Sequence, residues 1–272
     1  MSATTMTPEA AAPAVVRKER AVPAPIPFNR LLEVEWRKMF DTRSGFWLLA
    51  GVGILSLIAT GATMLFGNRA TLSYGDFAQA VGIPTTVILP VLGALSVSSE
   101  WGQRTALTTF TLVPSRARII ASKLLVVVAV GIVSVVVALA AGALGNLLNA
   151  GIAGVTPTWD IQSSVLAQIV LADQIGMLMG FMLGVLFRNS PGAVVGYFVY
   201  ALVLPGVSEA LASAQPWWRD HAAWFDLRSA TIPLYDAGVT GQQWAQLGVA
   251  AVIWLVVPLA LGLRMLMRSE VK

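Results

Sequence analysis

The stretch "FWLLAGVGILSLIATGATMLF", Phe46 to Phe66, decides the fold class, because it carries no charged side chain along its whole length. As a helix rising about 1.5 Å per residue it covers roughly 30 Å, the thickness of a bilayer's hydrocarbon core. Five further apolar stretches follow, at 79–99, 124–148, 164–187, 192–211 and 244–263. Inside hydrocarbon every backbone amide must find its partner within the protein, which leaves helices or closed barrels. The chain has too few polar residues to line a barrel, so the reading is all-α: a polytopic membrane protein with six transmembrane helices. Composition agrees. The chain is 56% hydrophobic and 12% charged, where a soluble domain has about 25% charged residues.

No internal repeat stands out, and residues 27–272 read as one membrane domain. Residues 1–26 are Ala/Pro-rich with the cluster "RKER", a composition that cannot build a core and predicts a disordered tail. They lack the short apolar core of a secretory signal. Between tail and first span, 27–45 predicts an interfacial helix: Phe28, Leu31, Leu32, Trp36, Met39 and Phe40 recur at helical spacing, with Arg30, Glu33, Arg37 and Asp41 opposite. That pattern suits a helix lying in the headgroup region.

Basic residues fix the orientation. If the N-terminus is cytoplasmic, only Arg69, Arg219 and Arg228 of the 18 Lys and Arg residues fall outside. The positive-inside bias therefore places both termini in the cytoplasm, and it accounts for a pI near 9.8 without a nucleic-acid partner.

Several chemistries are excluded. There is no Cys and a single His, His221, so thiol catalysis and clustered Cys/His metal sites are ruled out. Asp220, His221 and Asp226 are weak grounds for a metal, and none is expected. No stretch fits G-x-x-x-x-G-K-[ST], and none of Lys18, Lys38, Lys123 and Lys272 follows a glycine. A phosphate-cradling loop needs both features, so the chain is not expected to be an enzyme or to hydrolyse ATP.

The polar insert "EWGQRTALTTFTLVPSRARIIASK", residues 100–123, separates two very apolar spans. Antiparallel helices need connectors of only about two to eight residues, and this one is longer. Residues 103–113 suit a short helix, Pro114 ends it, and Ser115 suits the cap of a helix running into the third span. A basic loop that merely contacts lipid phosphates is the simpler reading of Arg116 and Arg118.

This insert resembles the cytoplasmic loop of ABC type-2 transporter permeases. The resemblance rests on Glu100, Gly102, Arg104, Thr105, Leu107, Pro114, Arg116 and Lys123. The family commonly places Gly directly before the Thr; here Gln103 and Arg104 intervene. The interfacial helix, six spans with both ends inside, and the long outer segment 212–243 are similar too, though less specific. The resemblance implies a half-transporter in a bacterial plasma (inner) membrane. It would pair with a second copy or a paralogous permease, and receive two ATP-binding subunits that hold the ATP and Mg. Segment 100–123, with Phe110 among its apolar residues, would be the coupling helix. A second contact with the ATPase would come from "FRNSPG", including Arg188, where Ser190 and Pro191 read as N-cap and first residue of span five. Segment 212–243 would be re-entrant.

Asp173 sits mid-span, with Gly176, Gly180 and Gly184 on its helical face. Glycines four apart permit close helix packing. Asp173 is either a lining or relay residue of a substrate path or a protonated carboxyl bonded to a neighbouring helix, and the absence of a basic residue at similar depth favours the second. Glu209, near the outer end of span five, could meet a cationic substrate, although solvated helix-end carboxylates are common. Pro90, Pro205 and Pro258 suggest kinks. Trp217, His221, Trp224, Phe225 and Arg228 fall on one helical face, and tryptophans there suit an outer membrane interface. Two rival functions remain open: an ion-coupled secondary transporter using Asp173, and a non-transporting membrane anchor.

Overall fold

The computed structural model describes residues 26–102 and 115–268. Every regular element among them is helical. In chain order these are α1 (Phe28–Asp41), α2 (Arg43–Phe66), α3 (Tyr74–Gly102), α4 (Arg116–Ala153), α5 (Ser163–Phe187), α6 (Ser190–Ala214), α7 (Pro216–Phe225), α8 (Leu227–Thr231), a 3-10 turn at Ile232–Tyr235, and α9 (Gly241–Arg268). Six of them, α2 to α6 and α9, are long and apolar enough to cross a membrane. Large apolar side chains point away from the bundle, among them Trp47, Leu57, Leu65 and Leu202. All six outrun the apolar stretches read from sequence. α4, with 38 residues, reaches about 57 Å and so protrudes from a bilayer.

One helix organises the rest. Of the apolar window of α5, 61% is buried, against 17% in α2 and 6% in α6. α5 packs most closely on α3, and the glycine stripe is the reason. A Cβ at Gly180 would enter the Pro90 backbone, and one at Gly184 would meet the Ala94 carbonyl. Gly93 of α3 makes the reciprocal approach to the Met177 carbonyl. The expected close face is therefore present, and its partner is α3.

Proline has two different outcomes. α3 stays helical through Pro84 and Pro90. Pro90 has no N–H for the Thr86 carbonyl, and the Tyr197 hydroxyl supplies the missing donor at 2.6 Å. Tyr197→Phe is expected to leave that carbonyl unpaired and lower stability by about 1–3 kcal/mol, read as a fall in thermal midpoint at constant detergent. A loss indistinguishable from zero would mean that water reaches Thr86. In α6 and α9 the helix instead widens into π turns at Val199–Val203 and Val252–Val256. Each ends two residues before a proline, Pro205 or Pro258, where the i−4 carbonyl loses its donor. The suspected kinks at 205 and 258 thus coincide with wide turns.

Three local expectations need correction. Ser115 occupies the N-cap of α4, but its side chain makes no capping bond. Asn189, not Ser190, caps α6: its side chain accepts from the Gly192 N–H at 2.9 Å. Ser190 and Pro191 are therefore its first and second residues, and the Ser190 hydroxyl accepts from Ser98 of α3 at 3.1 Å. The supposed common face of 217–228 is broken at Asp226, which caps α8 through the Arg228 N–H. Trp217 still stacks on His221 and packs at a tilt on Phe225, whereas Arg228 belongs to the next helix, α8.

Candidate functional site

At one end of the bundle lie Ile26, Gly102, Arg116 and Leu266. Arg118 donates to the Ile26 carbonyl at 2.8 Å, and Arg116 to the Leu266 carbonyl at 2.6 Å. The first described residues, the start of α4 and the end of α9 therefore meet here. Call it the terminal end; the loops around Arg69, Asp160 and Trp218 form the distal end.

The terminal end holds a buried ion quartet. α1 does not present a single apolar face: Glu35 and Met39 are buried, while Trp36 and Phe40 are exposed and pack on each other. Glu35 reaches inward to Lys123 at 2.6 Å and to Lys38 at 2.7 Å. Glu100, in the last turn of α3, accepts from Lys38 at 2.7 Å and from Lys123 at 2.8 Å. Lys123, only 2% exposed, also donates to the Ser96 carbonyl at 3.3 Å. Two carboxylates and two ammonium groups balance, which is what makes their burial affordable. For Lys38, burial works to lower its pKa, but the Glu100 and Glu35 carboxylates outweigh that and raise it above 10.5. A small cavity of about 240 Å³ adjoins the quartet.

The quartet joins α1, the end of α3 and the start of α4, the two arms that flank residues 103–114. Of the expected coupling residues, Arg104, Thr105, Leu107, Phe110 and Pro114 lie outside the described residues. Glu100 belongs to the quartet, Gly102 ends α3, and Arg116 ties α4 to α9. Arg188 takes the left-handed conformation (φ 51°) that terminates α5. It lies at the same end, because neighbouring Ser190 touches α3 beside Gly102.

Toward the distal end a cavity of about 670 Å³ opens between α3, α5 and the segment after α7. Asp76 and Asp160 stand at its mouth. Asp160 accepts from the Gly75 N–H at 2.8 Å and from Ser73 at 2.7 Å, and Asp76 accepts from the Ser73 N–H at 2.9 Å. Asp173 lies deepest on the α5 wall, is 4% exposed, and has one carboxyl oxygen without a hydrogen-bond partner among the described residues. The Thr85 side chain of α3 is a hydrogen-bond partner of Asp173, so the expected contact with a neighbouring helix is met in part, and Oδ1 is left over. Arg228 and Tyr235 close the far side. Burial pushes the Tyr235 hydroxyl up to about 12, Asp173 adds to this and Arg228 opposes it. The Tyr235 residue is 47% exposed, so the enclosure is confined to its hydroxyl end. Glu209 is exposed on α6 and does not line this cavity. Among the described residues no group of His, Cys, Asp or Glu could hold a metal ion.

Sequence reasoning missed Glu35 and Lys38, both read as parts of an ordinary amphipathic helix. The signal was there: Glu35 interrupts the 28, 31/32, 39 stripe at the position that must face inward. It also missed that Asp76, Asp160 and Arg228 share a cavity with Asp173, which no local pattern encodes. Compared with known proteins, the chain matches no family model and no characterised protein.

Proposed function

We propose that this chain is the membrane permease subunit of an ABC-type exporter, working as a dimer and driven by separate ATPase subunits. The observation that carries this reading is the ion quartet. It rivets α1 to both arms of the 103–114 insert, so a load applied to that insert reaches α1, α3 and α4 together. A simple lipid-facing loop requires no such bracing. The resemblance of residues 100–123 to the coupling segment of type-2 permeases and the absence of a phosphate-binding motif point the same way. With the termini in the cytoplasm, the insert and Arg188 face the ATPase, and the Asp173 cavity opens outward.

The test is co-purification. The chain, affinity-purified from its native cells, is expected to bring down an ABC-type ATP-binding subunit, and replacing both Arg104 and Leu107 by Asp is expected to abolish the association. Purified chain that moves cargo with no nucleotide-binding companion would overturn the proposal. It would favour the second reading, an ion-coupled transporter using Asp173, which the position of that carboxylate on a cavity wall supports.

A further inference from the structure

We infer that the distal cavity is a binding site for an amphipathic organic cation, taken in with its positively charged nitrogen against Asp173. The first ground is the carboxylate itself. Asp173 is buried, is the α5 lining residue farthest from Asp160 in sequence, and beside its Thr85 contact keeps one carboxyl oxygen with no donor among the described residues. A carboxylate at that depth is costly unless a donor or a positive charge meets it. No Lys or Arg of α3 or α5 supplies one: α3 has none, and α5 has none before its Arg188 cap at the other end.

The second ground is the shape and chemistry of the walls. Val165, Ile169 and Asp173 lie four residues apart on one face of α5, and Ile83 faces them from α3. From Asp76 to Thr86 the cavity follows α3 for about 15 Å. The result is a sleeve of mixed walls, apolar at Ile83, Val165 and Ile169 and polar at Gln79 and Thr86, with Asp173 along α5 and two further acids at the mouth. Asp76 and Asp160 are held by Ser73 and the Gly75 amide, so they stay at the mouth and cannot swing in to share a proton with Asp173. Three carboxylates face one guanidinium, Arg228, which is exposed. The volume of about 670 Å³ lies in the range of small-molecule sites, roughly 300–1,000 Å³.

The same features exclude other ligands. A bare metal ion would need several oxygens at one point, and no such group exists among the described residues. An anion would meet the acidic excess, and a zwitterion would have to set its anionic end on the single Arg228 against three carboxylates. The cavity lies within one chain, so binding needs neither a second copy nor nucleotide and stands whether or not the ATP-driven reading holds.

The experiment uses the full chain in lipid nanodiscs, titrated into rhodamine 6G, a monovalent cation with N–H donors, and read by fluorescence anisotropy against empty nanodiscs. Saturable binding is expected above the empty-disc background. Asp173→Asn is expected to weaken it at least about tenfold, Asp173→Glu to weaken it less, and Ile169→Trp to abolish it by filling the sleeve with the carboxylate intact. Glu33→Gln, on the exposed face of α1, should leave it unchanged, and Arg228→Gln should leave it equal or tighter. Matching thermal midpoints for the Asp173 variants separate lost binding from lost fold. No saturable binding to the wild-type chain, or equal binding by Asp173→Asn, would overturn the inference. Binding lost in Arg228→Gln but kept in Asp173→Asn would also overturn it, in favour of an anionic or zwitterionic ligand.

Discussion

Replacing Lys123 by Met is expected to destabilise the protein by about 3–5 kcal/mol, the usual result of stranding a buried charge. Without Lys123, Lys38 is the ammonium of the quartet left to Glu35 and Glu100, and its side chain is 39% exposed. The Ser96 carbonyl of α3 also loses a donor. The cause is charge imbalance rather than lost volume, so the double variant Lys123→Met with Glu100→Gln is expected to recover more than half of the loss. It leaves one carboxylate and one ammonium facing each other. Thermal unfolding of the single and double variants in one detergent gives the comparison. A double variant no better than Lys123→Met would mean that packing at Lys123, and not the balance of charges, holds this end together. The quartet should be indifferent to pH across the neutral range on its Lys38 side. A lysine whose pKa is raised in the fold gives its full contribution below its ordinary value of 10.5, and loses it only as pH climbs through the higher folded value.

The second large effect is expected at Gly180. An added Cβ would enter the Pro90 backbone, and backbone in the middle of a packed helix cannot step aside as a side-chain tip can. Gly180→Ala should therefore cost about 3 kcal/mol or more, seen as sharply reduced yield of monodisperse protein and a lower thermal midpoint. Gly176→Ala is the control. Its Cβ would touch only the Pro90 ring at 3.5 Å, an ordinary contact, and alanine's better helix propensity gives about 1 kcal/mol in its favour. Equal behaviour of the two variants would disprove the close α3–α5 crossing.

Much of this architecture is legible in the sequence because it rests on one-dimensional signals. An uncharged run such as Phe46–Phe66 states its length directly, and a stripe such as Gly176, Gly180 and Gly184 states a contact face. What the stripe does not state is its partner. Pro90, Gly93 and Ala94 of α3 become that partner only once the helices are placed. The quartet is hidden for the same reason: Glu35 and Lys123 are 88 residues apart, and each looks local where it stands. Tyr197 is a stronger example. Nothing near it announces that it supplies the hydrogen bond withheld by a proline 107 positions earlier (from Pro90 to Tyr197). Caps are visible but ambiguous: in "RNSPG" both Asn189 and Ser190 have the right oxygen, and only the backbone placed Asn189 at the boundary.

The paired π turns have a geometric consequence. Each inserts one residue into a helical winding, which shifts the azimuth of everything beyond it by about 100°. The turns of α6 and α9 sit side by side, with Tyr200 and Trp254 ring centroids 6.0 Å apart, and between them they carry α7, α8 and the Tyr235 turn. The bearing of that whole cap, and hence whether Arg228 and Tyr235 look over Asp173 or away from it, is thus set by two matched phase slips within α6 and α9.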